Sequence, residues 1–215
     1  MKRIMGIDEA GRGCVIGPMV ICGVVVDHDV LDALVEIGVR DSKALSAERR
    51  QALSGSISAI VEKSFIAEIP PCQIDRENIN ALGVREIARM IAAAEPDEVF
   101  IDVPTRGRGI AKYCQRIRAL LPKPGVALIA ENKADETYPV VSAASIIAKV
   151  TRDSAIDKLR DEYGDFGSGY PGDPRTKKFV TDCYSTTGEF PEIVRQKWLT
   201  ARRFTDTQQS MFPFR

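Results

Sequence analysis

Apolar positions at the front of the chain come in short runs between tight breaks: Arg3 to Ile7, then the longer Val15 to Val26, rich in Val and Ile and interrupted by Gly17-Pro18 and Gly23. This composition predicts strands joined by tight turns, an antiparallel start. The period then changes. Leu53, Ile57, Ile60 and Val61 recur at helical spacing behind Ser46, which is suited to cap the helix, and Ile87, Met90, Ile91 and Ala94 do the same before Pro96 stops the next one. Glu98 to Val103 predicts a strand. Ile110, Cys114, Ile117 and Leu121 mark a helix broken by Pro122 and Pro124, and Val126 to Ala130 reads as a short buried strand. From Pro139 to about Tyr163 the pattern is helical. Its first half carries Val, Ala, Ser and Ile on all sides, which predicts burial against a sheet, and its second half is charged.

Beyond the Gly-rich stretch Gly164 to Gly172, two further helices are predicted, roughly Arg175 to Ser185 and Pro191 to Arg203, as a smaller helical lobe. The order of elements is that of an α/β domain, a mostly parallel mixed sheet with an antiparallel beginning and flanking helices. The expected boundaries are 1–163 for this body, 164–204 for the lobe and 205–215 for a tail. No internal repeat or low-complexity segment is present.

Composition narrows the classes. With 215 residues and 44% hydrophobic content, the chain can bury a full core as one large domain with a helical extension. Thirty basic and thirty acidic residues balance, so nucleic-acid binding would need a local basic surface with the acids clustered elsewhere. Five cysteines are odd in number, widely spaced and without a Cys-x-x-Cys, which indicates reduced thiols rather than a disulfide framework or a structural zinc site. There is no signal-peptide pattern and no apolar run of membrane-spanning length, so a cytoplasmic protein is expected. His28 is the only histidine, which excludes histidine triads and His-Glu-x-x-His zinc hydrolases. Acid chemistry must then rest on carboxylates and metal.

Asp8 and Glu9 follow Ile4, Met5 and Ile7, Asp102 ends the run Val99-Phe100-Ile101, and Asp135 lies just past the next strand. An acid at such a place costs several kcal/mol unless something pairs with it. Each alone reads as a strand-end or cap residue. A converging set is suited to divalent magnesium or manganese, which favour carboxylate oxygen. Gly11-Arg12-Gly13, directly after Asp8-Glu9, adds a loop that lets backbone approach a ligand and a cation suited to phosphate.

Taken together, Gly6 to Gly13, Asp41-Ser42-Lys43, Ile101-Asp102, Lys133-Ala134-Asp135, Tyr138 to Lys149 and Gly167-Ser168-Gly169-Tyr170-Pro171 resemble the type 2 ribonucleases H (ribonuclease HII), in particular their archaeal type. The resemblance runs from about Met1 to Phe204. It implies the ribonuclease H-like fold, in which the first and fourth strands lie side by side and bring Asp8 and Asp102 together, with Asp135 approaching from the start of a helix and Glu9 completing the set. It further implies that Asp8, Glu9, Asp102 and Asp135 hold two magnesium or manganese ions about 4 Å apart at the scissile phosphate, and that hydrolysis leaves a 3′-hydroxyl and a 5′-phosphate. Gly11, Arg12 and Gly13 would sense the ribose 2′-hydroxyl, Tyr170 would stack on the neighbouring sugar, and Lys43 and Lys149 would contact phosphates, with Ser42 and Ser145 as further contacts. Lys177, Lys178, Lys197, Arg202 and Arg203 either give the lobe a basic face along the duplex or only solvate its helices.

The tail Gln208-Gln209-Ser210-Met211-Phe212-Pro213-Phe214 fits Gln-x-x-aliphatic-x-x-aromatic and looks like a sliding-clamp interaction box with Gln208, Met211 and Phe214 as anchors, although Arg215 stands where a second aromatic is usual. The expected protein is therefore a monomeric endonuclease for RNA/DNA hybrids and ribonucleotide-containing DNA. Two rivals stand beside it: a DNA-junction nuclease of the same fold, and a non-catalytic hybrid- or clamp-binding adaptor.

Overall fold

The chain opens on a hairpin in which β1 (Arg3–Ala10) and β2 (Met19–Asp27) pair antiparallel, from Arg3 opposite Asp27 to Ala10 opposite Val20. The structure is a computed structural model that describes residues 2–39, 45–123 and 125–203. After a 3-10 turn at His28–Val30 come α1 (Leu31–Glu36), α2 (Ala47–Ile60), β3 (Lys63–Ile69), α3 (Pro71–Arg76) and α4 (Ile79–Ala94). The chain then runs β4 (Glu98–Asp102), α5 (Arg108–Arg118), β5 (Ala127–Glu131), α6 (Ala134–Thr137), α7 (Pro139–Tyr163) and α8 (Pro174–Thr187). The five strands form one mixed sheet in the order β3-β2-β1-β4-β5, with β4 parallel to both β1 and β5. The antiparallel start, the parallel continuation and the adjacency of first and fourth strands all agree with expectation.

Local sequence explains most boundaries. Ser46 caps α2 by accepting the Arg49 N–H at 3.2 Å. Asp173 caps α8, with Pro174 in the first turn, and Gly188 closes that helix in the left-handed conformation at φ 74°. The first half of α7 is lined with small residues, and Ala143, Ala144, Ala148, Ser142 and Ser145 are all buried. Their size lets the helix lie close on β1: a Cβ added at Gly6 would collide with the Val140 carbonyl. The fully buried Val140 to Ala148 stretch packs with Ile4, Val20, Val24, Leu34, Leu53 and Ile57 in one core.

Two compact units divide the chain. The larger comprises the described residues of Met1–Ala10, Val20–Ala67 and Asn80–Thr151 and holds the sheet's core; the smaller comprises those of Gly11–Met19, Glu68–Ile79 and Arg152 onward. The division between these two units falls inside α7, and the smaller unit also includes two upstream segments. Its own core gathers Val15, Ile16, Ile156, Phe166, Val180 and Val194, with Trp198 against it. The helix expected over Pro191 to Arg203 is mostly absent. Val194 instead forms a bridge to Ile16, and Arg195 N–H bonds to the Val15 carbonyl at 2.8 Å, so tertiary pairing wins over helical propensity until residue 199.

Candidate active site

Parallel pairing of β1 with β4 sets Ile7 opposite Ile101, which puts Asp8 and Asp102 at the ends of adjoining strands. Asp135 comes from α6, entered through Lys133 in the left-handed conformation at φ 68°. Carboxylate oxygens of Asp8, Asp102 and Asp135 lie within 4.8 Å of one another. Asp8 and Asp135 are buried and Asp102 is half-buried. Asp102 Oδ1 accepts the Lys133 N–H at 3.0 Å, and Asp8 Oδ1 accepts the Glu9 N–H at 2.7 Å. Ser145, buried in α7, hydrogen-bonds Asp8 and so holds an acid in place rather than facing solvent. Lys149 lies one turn further along the same helix, half-buried.

Burial pushes the Asp8 carboxyl up to about 7, against the Ser145 hydrogen bond, and the neighbouring charges of Asp102 and Asp135 push in the same direction. Three carboxylates this close repel one another, and a hard divalent cation is the partner that such an all-oxygen donor set suits. The expected fourth member is the next residue along β1. Glu9 is outside the trio, and its Oε2 reaches toward Gly83 of α4, about where a Cβ there would be met at 3.9 Å. The reason is the period of two along a strand: consecutive side chains point to opposite faces, so Asp8 and Glu9 cannot both face α7.

The Gly11-Arg12-Gly13 loop and Tyr170 belong to the smaller unit, and there they meet. A Cβ at Gly13 would touch the Tyr170 ring at 3.8 Å, and the Val15 N–H donates to the Gly169 carbonyl at 2.8 Å. Gly11 has φ 76°, which glycine adopts without strain. Two buried arginines that sequence reading missed build this corner. Arg195, fully buried, donates to the carbonyls of Gly11 (2.7 Å), Arg12 (2.8 Å) and Gly17 (2.9 Å). Arg152 donates to the Ser168 carbonyl at 2.8 Å and to Cys14 Sγ at 3.0 Å, and its guanidinium lies 5.1 Å from the Tyr170 ring centre. Tyr170 is 41% exposed, and burial of the remainder raises its phenol, helped by the Cys14 thiol. Nothing in a single sequence separates a buried arginine from a solvated one, so only the fold reveals these two. Ser42, Lys43 and the tail anchors Gln208, Met211 and Phe214 lie outside the described residues.

The ribonuclease HII family model matches residues 5–201. Ribonuclease HII of Thermococcus kodakarensis is 43% identical over 212 residues, covering 97% of this chain and 92% of the relative. The ribonuclease H2 of Pyrococcus horikoshii OT3 is similar in structure, with TM-score 0.88 and 40% identity over 95% of this chain and 98% of that one. The ribonuclease HII solved in a PCNA:RNase HII complex from Archaeoglobus fulgidus has TM-score 0.81 and 38% identity over 91% of this chain and 94% of that one. Among described residues no helix is long and apolar enough to cross a membrane.

Proposed function

Because the chain belongs to the ribonuclease HII family, and is thus a metal-dependent endoribonuclease, we propose that it cuts the RNA strand of RNA/DNA hybrids and nicks duplex DNA 5′ to an embedded ribonucleotide, leaving a 3′-hydroxyl and a 5′-phosphate. The convergence of Asp8, Asp102 and Asp135 within 4.8 Å carries this reading. Bound there, two magnesium or manganese ions supply activation of the attacking water and stabilisation of the leaving oxygen. The chain's own part is positional. Asp8 is fixed by Ser145 and by the Glu9 N–H, Asp102 by the Lys133 N–H, and Glu9 adds a fourth acid beside the strand end.

Discrimination of RNA falls to the loop. The carbonyls of Gly11 and Arg12 are engaged by Arg195, and in trans peptides the N–H groups of Arg12 and Gly13 point the opposite way, to where a 2′-hydroxyl can accept. The half-exposed Tyr170 ring, next to Gly13 and backed by Arg152, offers a flat face for the adjoining sugar. Lys43 and Lys149 contact phosphates, with Ser42 as a further contact. The protein works as a monomer in the cytoplasm, and Gln208, Met211 and Phe214 dock on a sliding clamp, as the A. fulgidus relative's complex with PCNA suggests.

Cleavage of duplex DNA carrying one ribonucleotide tests the proposal, beside an all-DNA duplex, with magnesium, manganese or chelator, for wild type and Asp135→Asn. The expected result is a metal-dependent nick 5′ to the ribonucleotide, absent from the all-DNA duplex and reduced by several orders of magnitude in Asp135→Asn while binding persists. Cutting of both duplexes would indicate a general nuclease of this fold. No cutting with either metal would leave only an adaptor.

A further inference from the structure

Between Thr105 and Lys123 the chain carries six cations, Arg106, Arg108, Lys112, Arg116, Arg118 and Lys123, and no acid, in a protein whose total charge is balanced. Arg108, Lys112 and Arg116 recur every fourth residue of α5, each step rising about 6 Å, while the buried Tyr113, Cys114 and Ile117 occupy the opposite side. Arg108, Lys112 and Arg118 are exposed and Arg116 is half-buried. Lys123 pairs with Glu95. Arg108, Lys112, Arg116 and Arg118 enter no ion pair among the described residues.

This arrangement costs the helix stability. Like charges at i,i+4 repel, and Arg108 stands in the first turn, where the helix dipole disfavours a cation. A helix that only needs to be solvated interleaves both signs. An anion laid along the stripe removes both penalties. The stripe also begins beside the acids: Arg106 Nε donates to Asn132 Oδ1 at 3.1 Å, Asn132 Nδ2 donates to the Val103 carbonyl at 3.2 Å, and the next residue, Lys133, donates its N–H to Asp102.

We propose that α5 is a track for the phosphodiester backbone of the substrate duplex, engaging the flank that runs away from the acid cluster and contributing affinity without reading sequence. The assignment rests on the ribonuclease reading of the acids. Polyanion chemistry fits the feature because the stripe repeats regularly, as backbone phosphates do, and offers charge without an apolar pocket.

The test compares the full chain carrying Asp135→Asn with the same chain further carrying Arg108→Gln, Lys112→Gln, Arg116→Gln and Arg118→Gln. Binding to duplex DNA with one ribonucleotide is followed by anisotropy across a salt series. The expected change is a rise in Kd on the order of tenfold or more, and a salt slope shallower by about 2 to 4. A charge-keeping set, Arg108→Lys with Arg116→Lys and Arg118→Lys, retains both. If the four-site variant does not melt like its parent, the exposed single changes Lys112→Gln and Arg118→Gln replace it, each expected to lower the slope by about 1. Unchanged affinity and slope in folded variants overturn the inference and leave the stripe to an acidic protein surface. Wild-type cleavage is scored in parallel, so that loss of the nick fails the ribonuclease reading, whereas a normal nick with unaltered α5 variants fails this inference alone.

Discussion

Asp8 shows most directly what the site asks of one residue. Its carboxyl titrates at about 7 in the folded protein without metal, against an ordinary value of 3.8, because burial and two neighbouring acids disfavour the charge. The folded state therefore binds more protons than the unfolded chain between those values, and the stability of the metal-free protein falls as pH rises from about 4 through 7. A divalent ion needs the ionised form and restores what is lost. The melting-temperature gap between magnesium and chelator is expected to be wider at pH 8 than at pH 5, and an equal gap would detach Asp8 from metal binding. Arg195 is the other extreme, a cation with no solvent exposure whose group burial lowers to about 10. Arg195→Met leaves the carbonyls of Gly11, Arg12 and Gly17 short of donors, and urea unfolding should report a loss of about 3 kcal/mol. Arg195→Lys recovers little, since one ammonium cannot reproduce the planar fork. The acids were legible from sequence because carboxylates at strand ends are unusual in company. Arg195 and Arg152 were not, since a buried guanidinium looks like any other until its carbonyl partners, some of them 184 residues away, are known.

Elements repeat the lesson in another form. Where a segment carries its own cap, as Ala47–Ile60 does, or a long helical pattern, as Pro139–Tyr163 does, sequence and structure coincide. β3 was missed because it is an edge strand with mostly exposed positions and only a weak alternation, and α3 because it is a six-residue helix behind Pro70 and Pro71. Glu9 joins the acid set by resemblance, and alternation along β1 sets its side chain on the other face from Asp8, with Oε2 on the side of α4. The β1–α7 contact supplies a test at this scale. Gly6→Ala has no room against Val140, so it should cost about 1 to 3 kcal/mol by forcing the two elements apart. Since Asp8 is two residues further on the same face, and Ser145 is on the same helix, cleavage should fall by more than the folded fraction explains. Activity that merely tracks the folded fraction would mean that the acids tolerate the shift.

At the scale of the whole molecule, the smaller unit is built from three separate segments, because the Gly11–Met19 loop finds its carbonyl partners near residues 169 and 195. Removing Thr205 to Arg215 should abolish binding to a sliding clamp, read by calorimetry, and leave cleavage of the single-ribonucleotide duplex as it was; clamp affinity that survives would end the docking assignment.

The pairing of β1 with β4 has a consequence in time as well as in space. Strands joined across some ninety residues of intervening chain close late and slowly, and the third acid is made only when synthesis has passed Asp135. The unfolded chain thus holds its acids scattered, and the trio exists only where β1, β4 and α6 are in place together.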